Sequence, residues 1–432
     1  MKWRPKGLWK DADFVKVWVG HTISNFGSGI TGIALPLTAV LVLSANSTQM
    51  GLLSALSGIS VVLFGLVAGV WVDRLRRRPI LITTDLGRAI LLGSLPVAAW
   101  LGILHLPQLY VVAALTGVLT VFFDVAGGAY LPSLIPQEQL VEANSKLGMS
   151  DALAEIGGPA VAGPLVQLVG APLAIVVDAL SFLVSALSIG RIRTVEPEPL
   201  AVKERRSAWR ESIEGLRVIR ENAVLQALAI SAALFNFFGN FIGTLYILYI
   251  VREVRASPFI IGFLVAAGGA SALVGTFIAQ RVIQRMGLGL AIGGMLFFYG
   301  FTGLLIPLAH APHVQVVVAV ALLFTSQLLG DASVAIYFIA EVSLRQAIIP
   351  NAFLGRVNAS MQLLTLGVGP GGAILAGILG TILGLQLTIL IGVLGVMLAG
   401  AWLLFSPVRK VRAFDSVVGP IPPGGSGGVG RV

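Results

Sequence analysis

The sequence predicts an all-α integral membrane protein: twelve transmembrane helices in two pseudo-symmetric six-helix halves. Three observations predict it. Of 432 residues, 56% are hydrophobic and only 11% charged, with a mean hydropathy of +0.92. Soluble domains carry about 25% charged residues, so this chain cannot cover a water-facing surface of its size. Twelve stretches are apolar over the length of about 20 residues that a bilayer requires. Finally, a 36-residue segment recurs near the end of each half.

The first span, 14–43, follows a basic N-terminus and ends at a charge-free loop, Ser44–Gln49. It lacks a small-residue cleavage pattern, so it reads as a retained span rather than a signal peptide. The second, 50–72, stops abruptly at Asp73-Arg74. Four arginines lie within five positions there (Arg74, Arg76, Arg77, Arg78), and the third span, 79–101, starts at once with Pro79-Ile80-Leu81-Ile82. Spans at 107–132, 145–170 and 172–190 complete a first half, residues 1–190. A polar linker, 191–222, opens with Glu196-Pro197-Glu198-Pro199 and continues into Ser207–Glu221. Trp209, Ile213, Leu216 and Ile219 recur there at helical spacing, as in an amphipathic surface helix. The second half, 223–408, holds spans at 223–251, 257–282, 288–309, 313–340, 355–382 and 385–406. The tail, 409–432, ends in the Gly/Pro/Ser-rich Gly419–Val432, which is expected to be disordered.

Charge placement orients these spans. With both termini inside, the inner segments hold Lys2, Arg4, Lys6 and Lys10, the Arg74–Arg78 cluster, eight basic residues between Arg191 and Arg220, and Arg281, Arg285, Arg345, Arg356, Arg409, Lys410 and Arg412. The outer loops hold Arg252 and Arg255. Short cationic loops stay cytoplasmic, so the chain is expected in the cell (inner) membrane with both termini in the cytoplasm. The net charge of +9 follows this topology and anionic headgroups rather than nucleic acid. With no cysteine there is neither a disulfide framework nor a thiolate site. The four histidines lack metal-ligand spacing, and no Gly-x-x-x-x-Gly-Lys-Ser/Thr segment cradles a nucleotide. No catalytic set, metal or cofactor is expected, and the chain is read as a non-enzyme.

The repeat aligns Ile135–Gly170 with Ile349–Gly384 without gaps, and ten of 36 positions are identical. They include Pro136/Pro350, Asn144/Asn358, Gly157/Gly371, Gly158/Gly372, Gly163/Gly377 and Gly170/Gly384. Weaker echoes pair Ser24-Asn25-Phe26-Gly27 with Asn236-Phe237-Phe238-Gly239, and Gly51-Leu52-Leu53 with Gly262-Phe263-Leu264.

On these residues the chain resembles the major facilitator superfamily over nearly its whole length. Gly69-x-x-x-Asp73-Arg74-x-x-Arg77-Arg78 is similar to that superfamily's motif between the second and third helices, although Leu75-Arg76 replaces the usual glycine. Tyr130-Leu131-Pro132…Pro136…Leu140-x-x-x-Asn144 and Leu354-Gly355-Arg356-Val357-Asn358 resemble the macrolide and siderophore (enterobactin-type) efflux subgroup. The resemblance implies a gating set of Gly69, Asp73, Arg74, Arg77, Arg78 and Asp124 that clamps the halves in one state. Asp73 would meet a helix N-terminus near Gly355, and Arg77 would pair with Asp124 on the fourth span. The alternative is a cluster that only orients the chain. The fourth span lacks the superfamily's Arg-based proton-antiport motif.

Intramembrane carboxylates are functional candidates by default. Asp331, in the tenth span with no basic residue nearby in sequence, suits proton exchange or a hydrogen bond to a neighbouring Ser or Asn. Asp178 and Glu155 are further coupling candidates. Asp151 and Glu155 share a helix face and would serve the entrance, or hold Lys146 or a motif arginine. Glu341 is expected to pair with Arg345 or Arg356. Asn25, Asn236, Asn240, Phe237 and Tyr246 are candidate cavity residues, because the first and seventh helices line the cavity in the fold that the resemblance implies. Gly157-Gly158-Pro159…Gly163 serves either an exporter signature or close helix packing.

The expected function is a secondary active transporter working by alternating access. The resemblance favours proton-coupled efflux of an amphipathic small molecule (drug, macrolide or siderophore-like). A monomer in a lipid bilayer is expected, with protons as the coupling ion. An importer or lipid-flipping transporter of the same fold remains open, as does a non-transporting membrane receptor or scaffold.

Overall fold

The computed structural model describes residues 7–194, 196, 208–310, 314–350 and 353–411. Among them are twelve helical spans long and apolar enough to cross a membrane, and no strand. Residues 1–6, most of the linker before Ala208 and the tail beyond Val411 lie outside the described residues, and so does the disorder expected for Gly419–Val432.

Six spans precede the linker: α1 (Ala12–Leu37), α2 (Ser47–Val72), α3 (Arg77–Trp100), α4 (Leu106–Leu134), α5 (Leu140–Val169) and α6 (Ala171–Gly190). The linker helix is α7 (Ala208–Glu221). Then come α8 (Ala223–Tyr249), α9 (Pro258–Met286), α10 (Leu288–Gly303) with its short continuation α11 (Leu305–Leu308), and α12 (Val316–Ile348). The eleventh span is split into α13 (Leu354–Gly367) and α14 (Gly369–Ile382), and α15 (Leu385–Phe405) is the last. Local chemistry sets these ends. Asp11 and Asn222 cap α1 and α8, Asn46 forms a capping box with Gln49 on α2, and Ser257 caps α9 ahead of Pro258. Such oxygens satisfy the orphan amides of a first turn. The break in the eleventh span falls at Gly367-Val368-Gly369-Pro370, where proline removes an amide and crowds the preceding turn.

The repeat is visible in the backbone. Gly170 and Gly384 turn the chain between adjacent spans at φ of 87° and 84°, a region open to glycine and strained for other residues. Both α1 and α8 widen into a π-helical turn where they end, at Thr38–Val42 and Ile250–Val254.

The first six spans pack on one another, α1 on α5 and α6, α3 on α4 and α6, and α2 on α4. The last six do likewise, α8 on α14 and α15, α10 on α12 and α15, and α9 on α12. Large apolar side chains such as Trp100, Phe277 and Phe405 point outward. A water-facing surface does not tolerate that much apolar area, and lipid does.

We call the end carrying Arg74–Arg78 the basic end and the opposite one the far end. Two seams join the halves, α2 against α14 and α5 against α9. Both depend on glycine. A Cβ added at Gly51 would strike the backbone of Ala373 and Gly377, and one at Gly163 would strike that of Pro258 and Gly262. Small residues thus let the helices meet backbone to backbone, and the repeated Gly163/Gly377 and the echoed Gly51/Gly262 form the two contacts. Far-end hydrogen bonds reinforce them. The hydroxyls of Thr48 and Thr381 lie 2.8 Å apart, Arg252 donates to the Ala45 carbonyl at 2.7 Å, and the Phe259 amide donates to Gln167 at 3.3 Å.

Candidate functional site

The centre of the first half is charged. Arg88 of α3 is 4% exposed and Asp85, one turn earlier, is fully buried. The Arg88 guanidinium donates to Asp85 Oδ1 at 2.5 Å and to the Thr120 hydroxyl at 3.4 Å. It also lies 4.2 Å and 4.1 Å from the ring centroids of Phe123 and Phe182. A flat cation between two aromatic faces satisfies both its charge and its π surface. Asp124 and Asp178 are near enough for their fields to reach it. Asp178 is buried on α6 and accepts from the Ser181 hydroxyl at 3.1 Å. Asp85 and Arg88 are not among the candidate residues expected from the sequence. The signal was available: opposite charges three residues apart in mid-span, where a charge costs about 2.5–3.5 kcal/mol on insertion scales.

Arg77 of the motif loop is engaged differently from the expectation. Arg77 meets Glu196 rather than Asp124: the Glu196 carboxylate accepts from the Arg77 and Arg78 backbone amides at 2.8 Å and 3.2 Å and from the Arg77 guanidinium at 3.4 Å. It thereby caps α3, whose first turn otherwise leaves its amides unsatisfied. Arg78 donates to the carbonyls of Ile189 and Gly190 at the end of α6. Asp73 closes α2, and its amide donates to the Gly69 carbonyl. Gly69 faces open space, and so does Gly355. Arg74 is exposed.

Asp124 lies on α4 beside a cavity of about 500 Å³. The walls come from α1, α2, α3 and α4 on one side and from α13 on the other, and are mostly apolar; Thr31, Thr116, Thr120 and Gln362 supply polar groups. Toward the basic end, His21 Nε2 and Asn25 Nδ2 both meet Asp151 Oδ1 at 2.6 Å, tying α1 to α5. Asp151 therefore holds neither Lys146 nor a motif arginine; Lys146 pairs with Glu142 and covers the Trp9 ring.

In the second half, Asp331 of α12 borders a separate cavity of about 430 Å³ with Glu155, Tyr246, Tyr299 and Gln327. Among the described residues no basic side chain pairs with Asp331, and the Tyr246 hydroxyl is buried without a partner. Glu155 reaches this cavity from α5, across the seam between the halves. Asn236 and Asn240 donate back to their own helix, to the carbonyls of Ala232 and Asn236. Phe237 stacks among Phe238 and Phe241, and its carbonyl lies where a Cβ on Gly372 would be. None of these three is among the residues lining the two cavities described, whereas Tyr246 borders the second. Glu341 pairs with Arg345 at 3.6 Å.

A family model described as the Major Facilitator Superfamily matches residues 17–371. The chain is 28% identical over 412 residues to the multidrug efflux pump Tap of Mycolicibacterium fortuitum, covering 90% of this chain and 94% of that one. It is 25% identical over 306 residues to macrolide efflux protein A of Streptococcus pyogenes, covering 68% and 75%. It is also similar in structure to a bacterial homologue of the iron transporter ferroportin. The TM-score is 0.71 against that protein's inward-facing state, at 20% identity with 92% and 99% covered. Against its outward-facing state the TM-score is 0.55, at 21% identity with 91% and 98% covered.

Proposed function

This chain belongs to the Major Facilitator Superfamily and is a multi-pass membrane transporter, and on that premise we propose that it exports an amphipathic small molecule in exchange for protons. The two six-span halves, joined by the linker that contains α7, rock against each other about a central solute path. Both termini lie in the cytoplasm, in the cell membrane. The basic end is then the inner end, and the state described is inward-facing.

One observation carries this reading: the halves are sealed at the far end by glycine seams and hydrogen bonds, while cavities lined by carboxylates lie inside the bundle. A seal at one end, made of contacts that a rocking motion would separate, is what alternating access requires. The higher similarity to an inward-facing neighbour supports the same state. The names of the efflux relatives support the direction. Asp331 takes the proton, because a cavity-facing carboxylate with no cation beside it must find a counter-charge or a proton in low dielectric.

Purified protein reconstituted into proteoliposomes tests this. Solute movement out of the compartment facing the basic end is expected to depend on an imposed pH gradient. Asp331→Asn is expected to remove the gradient dependence and leave gradient-independent exchange. Flux that ignores the gradient in both proteins would sink the coupling, and net movement the other way would sink the direction.

A further inference from the structure

Asp124 is set apart from the other acids of the first half. Both cations that might neutralise it are committed elsewhere. Arg77 is held by Glu196 and the start of α3, and Arg88 is fixed by Asp85, Thr120 and two aromatic rings. Among the described residues no hydrogen bond or ion pair is formed by the Asp124 carboxylate, although the fields of Arg88 and His21 reach it. One guanidinium stands among three carboxylates, Asp85, Asp124 and Asp178. The group is short of positive charge, and Asp124 is the member that borders the 500 Å³ cavity.

The cavity wall is mostly apolar. Thr31 and Thr116 are among its lining residues, but their hydroxyls are turned into the protein rather than into the space. Around them are apolar side chains, among them Leu35, Val61, Leu92 and Leu363. A space with mostly apolar walls and one carboxylate without an ion-pair partner is complementary to a bulky apolar molecule bearing one positive charge. A cation placed there meets the charge that no side chain pairs with at Asp124, and an apolar body lying over the carboxylate shields the pair from water.

We propose that this cavity is a solute site for lipophilic cations, with Asp124 meeting the positive centre and α13 closing over the apolar body. The proposal rests on the reading of the chain as a transporter of amphipathic solutes and adds the charge class and the residue that selects it. Asp124 then acts as a cation receptor in the state described here. Arg88 stays with Asp85 and sets how much negative charge Asp124 presents. Ala359, Gln362 and Leu363 of α13 form the opposite wall, so the bound solute touches both halves. That contact gives it different interactions in the two states, which is the condition for a ligand to shift their balance.

Binding of two ions of the same shape and opposite charge to the full-length protein in detergent tests the site without relying on flux. Tetraphenylphosphonium is expected to bind, and tetraphenylborate to bind on the order of tenfold more weakly or less well still. Asp124→Asn is expected to weaken tetraphenylphosphonium on the order of tenfold and to erase the preference between the two ions. Ala359→Trp, which fills the cavity from α13 and leaves Asp124 in place, is expected to abolish binding of the cation; it decides the matter should the Asn variant fail to fold. Equal binding of both ions by the unaltered protein would overturn the proposal. So would undiminished cation affinity in Asp124→Asn, which would leave Asp124 to the proton or to gating alone. Solute import by proteoliposomes alongside intact cation selectivity would refute export and leave this site standing. Export with an Asp124→Asn variant that binds as the parent does would refute the site and leave export standing.

Discussion

In the first half, α3 carries Asp85 and Arg88 into the middle of the bundle; in the second, the corresponding span, α10, contains no charged residue. The scaffolds match, with Gly163 and Gly377 making equivalent seams and Gly170 and Gly384 making equivalent turns. The contents do not match. One half buries a cation among three acids. The other leaves Asp331 beside tyrosines and a glutamine. The repeated frame therefore keeps its glycines where backbones meet and differs in the charged side chains of its interior. On the reading proposed above, the first half recognises charge and the second moves protons.

The largest expected effect breaks this comparison at its charged end. Arg88→Met removes the single cation from beside Asp85, and an uncompensated buried charge costs on the order of 3–5 kcal/mol. Thermal unfolding of the detergent-solubilised protein is expected to show a large loss of stability. Asp85→Asn combined with Arg88→Gln is expected to recover much of it, because no lone charge remains. Asp331→Asn is expected to change stability by less than about 1 kcal/mol, because no ion pair is broken. Equal losses for Arg88→Met and Asp331→Asn would erase the distinction between the halves.

The seams sharpen the other side of the comparison, where the halves are alike. Gly163→Val and Gly377→Val each place branched carbons against the backbone of the facing helix. Overpacking of this kind costs about 1–3 kcal/mol, here only while the far end is closed. Distances between spin labels at the far end are expected to lengthen in both variants, and by similar populations. A shift in only one variant would mean that a single seam carries the closure.

How much of this was legible in the sequence follows from the same division. Helix ends, the cationic turn, the linker helix and the repeated glycines follow from patterns within a few residues of one another, and sequence holds those. Glu341 with Arg345 is one helical turn, and it was readable. The partner of Arg77 was not, because Glu196 comes from the linker more than a hundred positions away, and the resemblance pointed to Asp124 instead. Nor was the placement of Asn236, Asn240 and Phe237 readable. A polar or aromatic residue on a span has two faces to choose from, and only packing against α14 and α15 decides between cavity and seam. Asp85 and Arg88 are the instructive omission. Their spacing is plain in the sequence, but a pair that neutralises itself carries none of the signal that an unpaired acid does.

The smallest expected effect asks whether the two seams are equivalent in their hydrogen bonds as well as their glycines. At α2–α14 the Thr48 hydroxyl meets the Thr381 hydroxyl and the Gly377 carbonyl. At α5–α9 the Gln167 side chain instead takes the Phe259 amide in the first turn of α9. Thr48→Val keeps the shape and removes a polar contact worth about 0.5–1.5 kcal/mol, so the far-end label distances are expected to shift by a few-fold in population. Gln167→Leu removes the acceptor from an amide that water can reach once the seam parts, so the closed state loses a partner that the open state replaces. The expected shift has the same direction and similar size. A shift for Thr48→Val with none for Gln167→Leu would show that the repeat preserved the glycines of both seams and the hydrogen bond of only one.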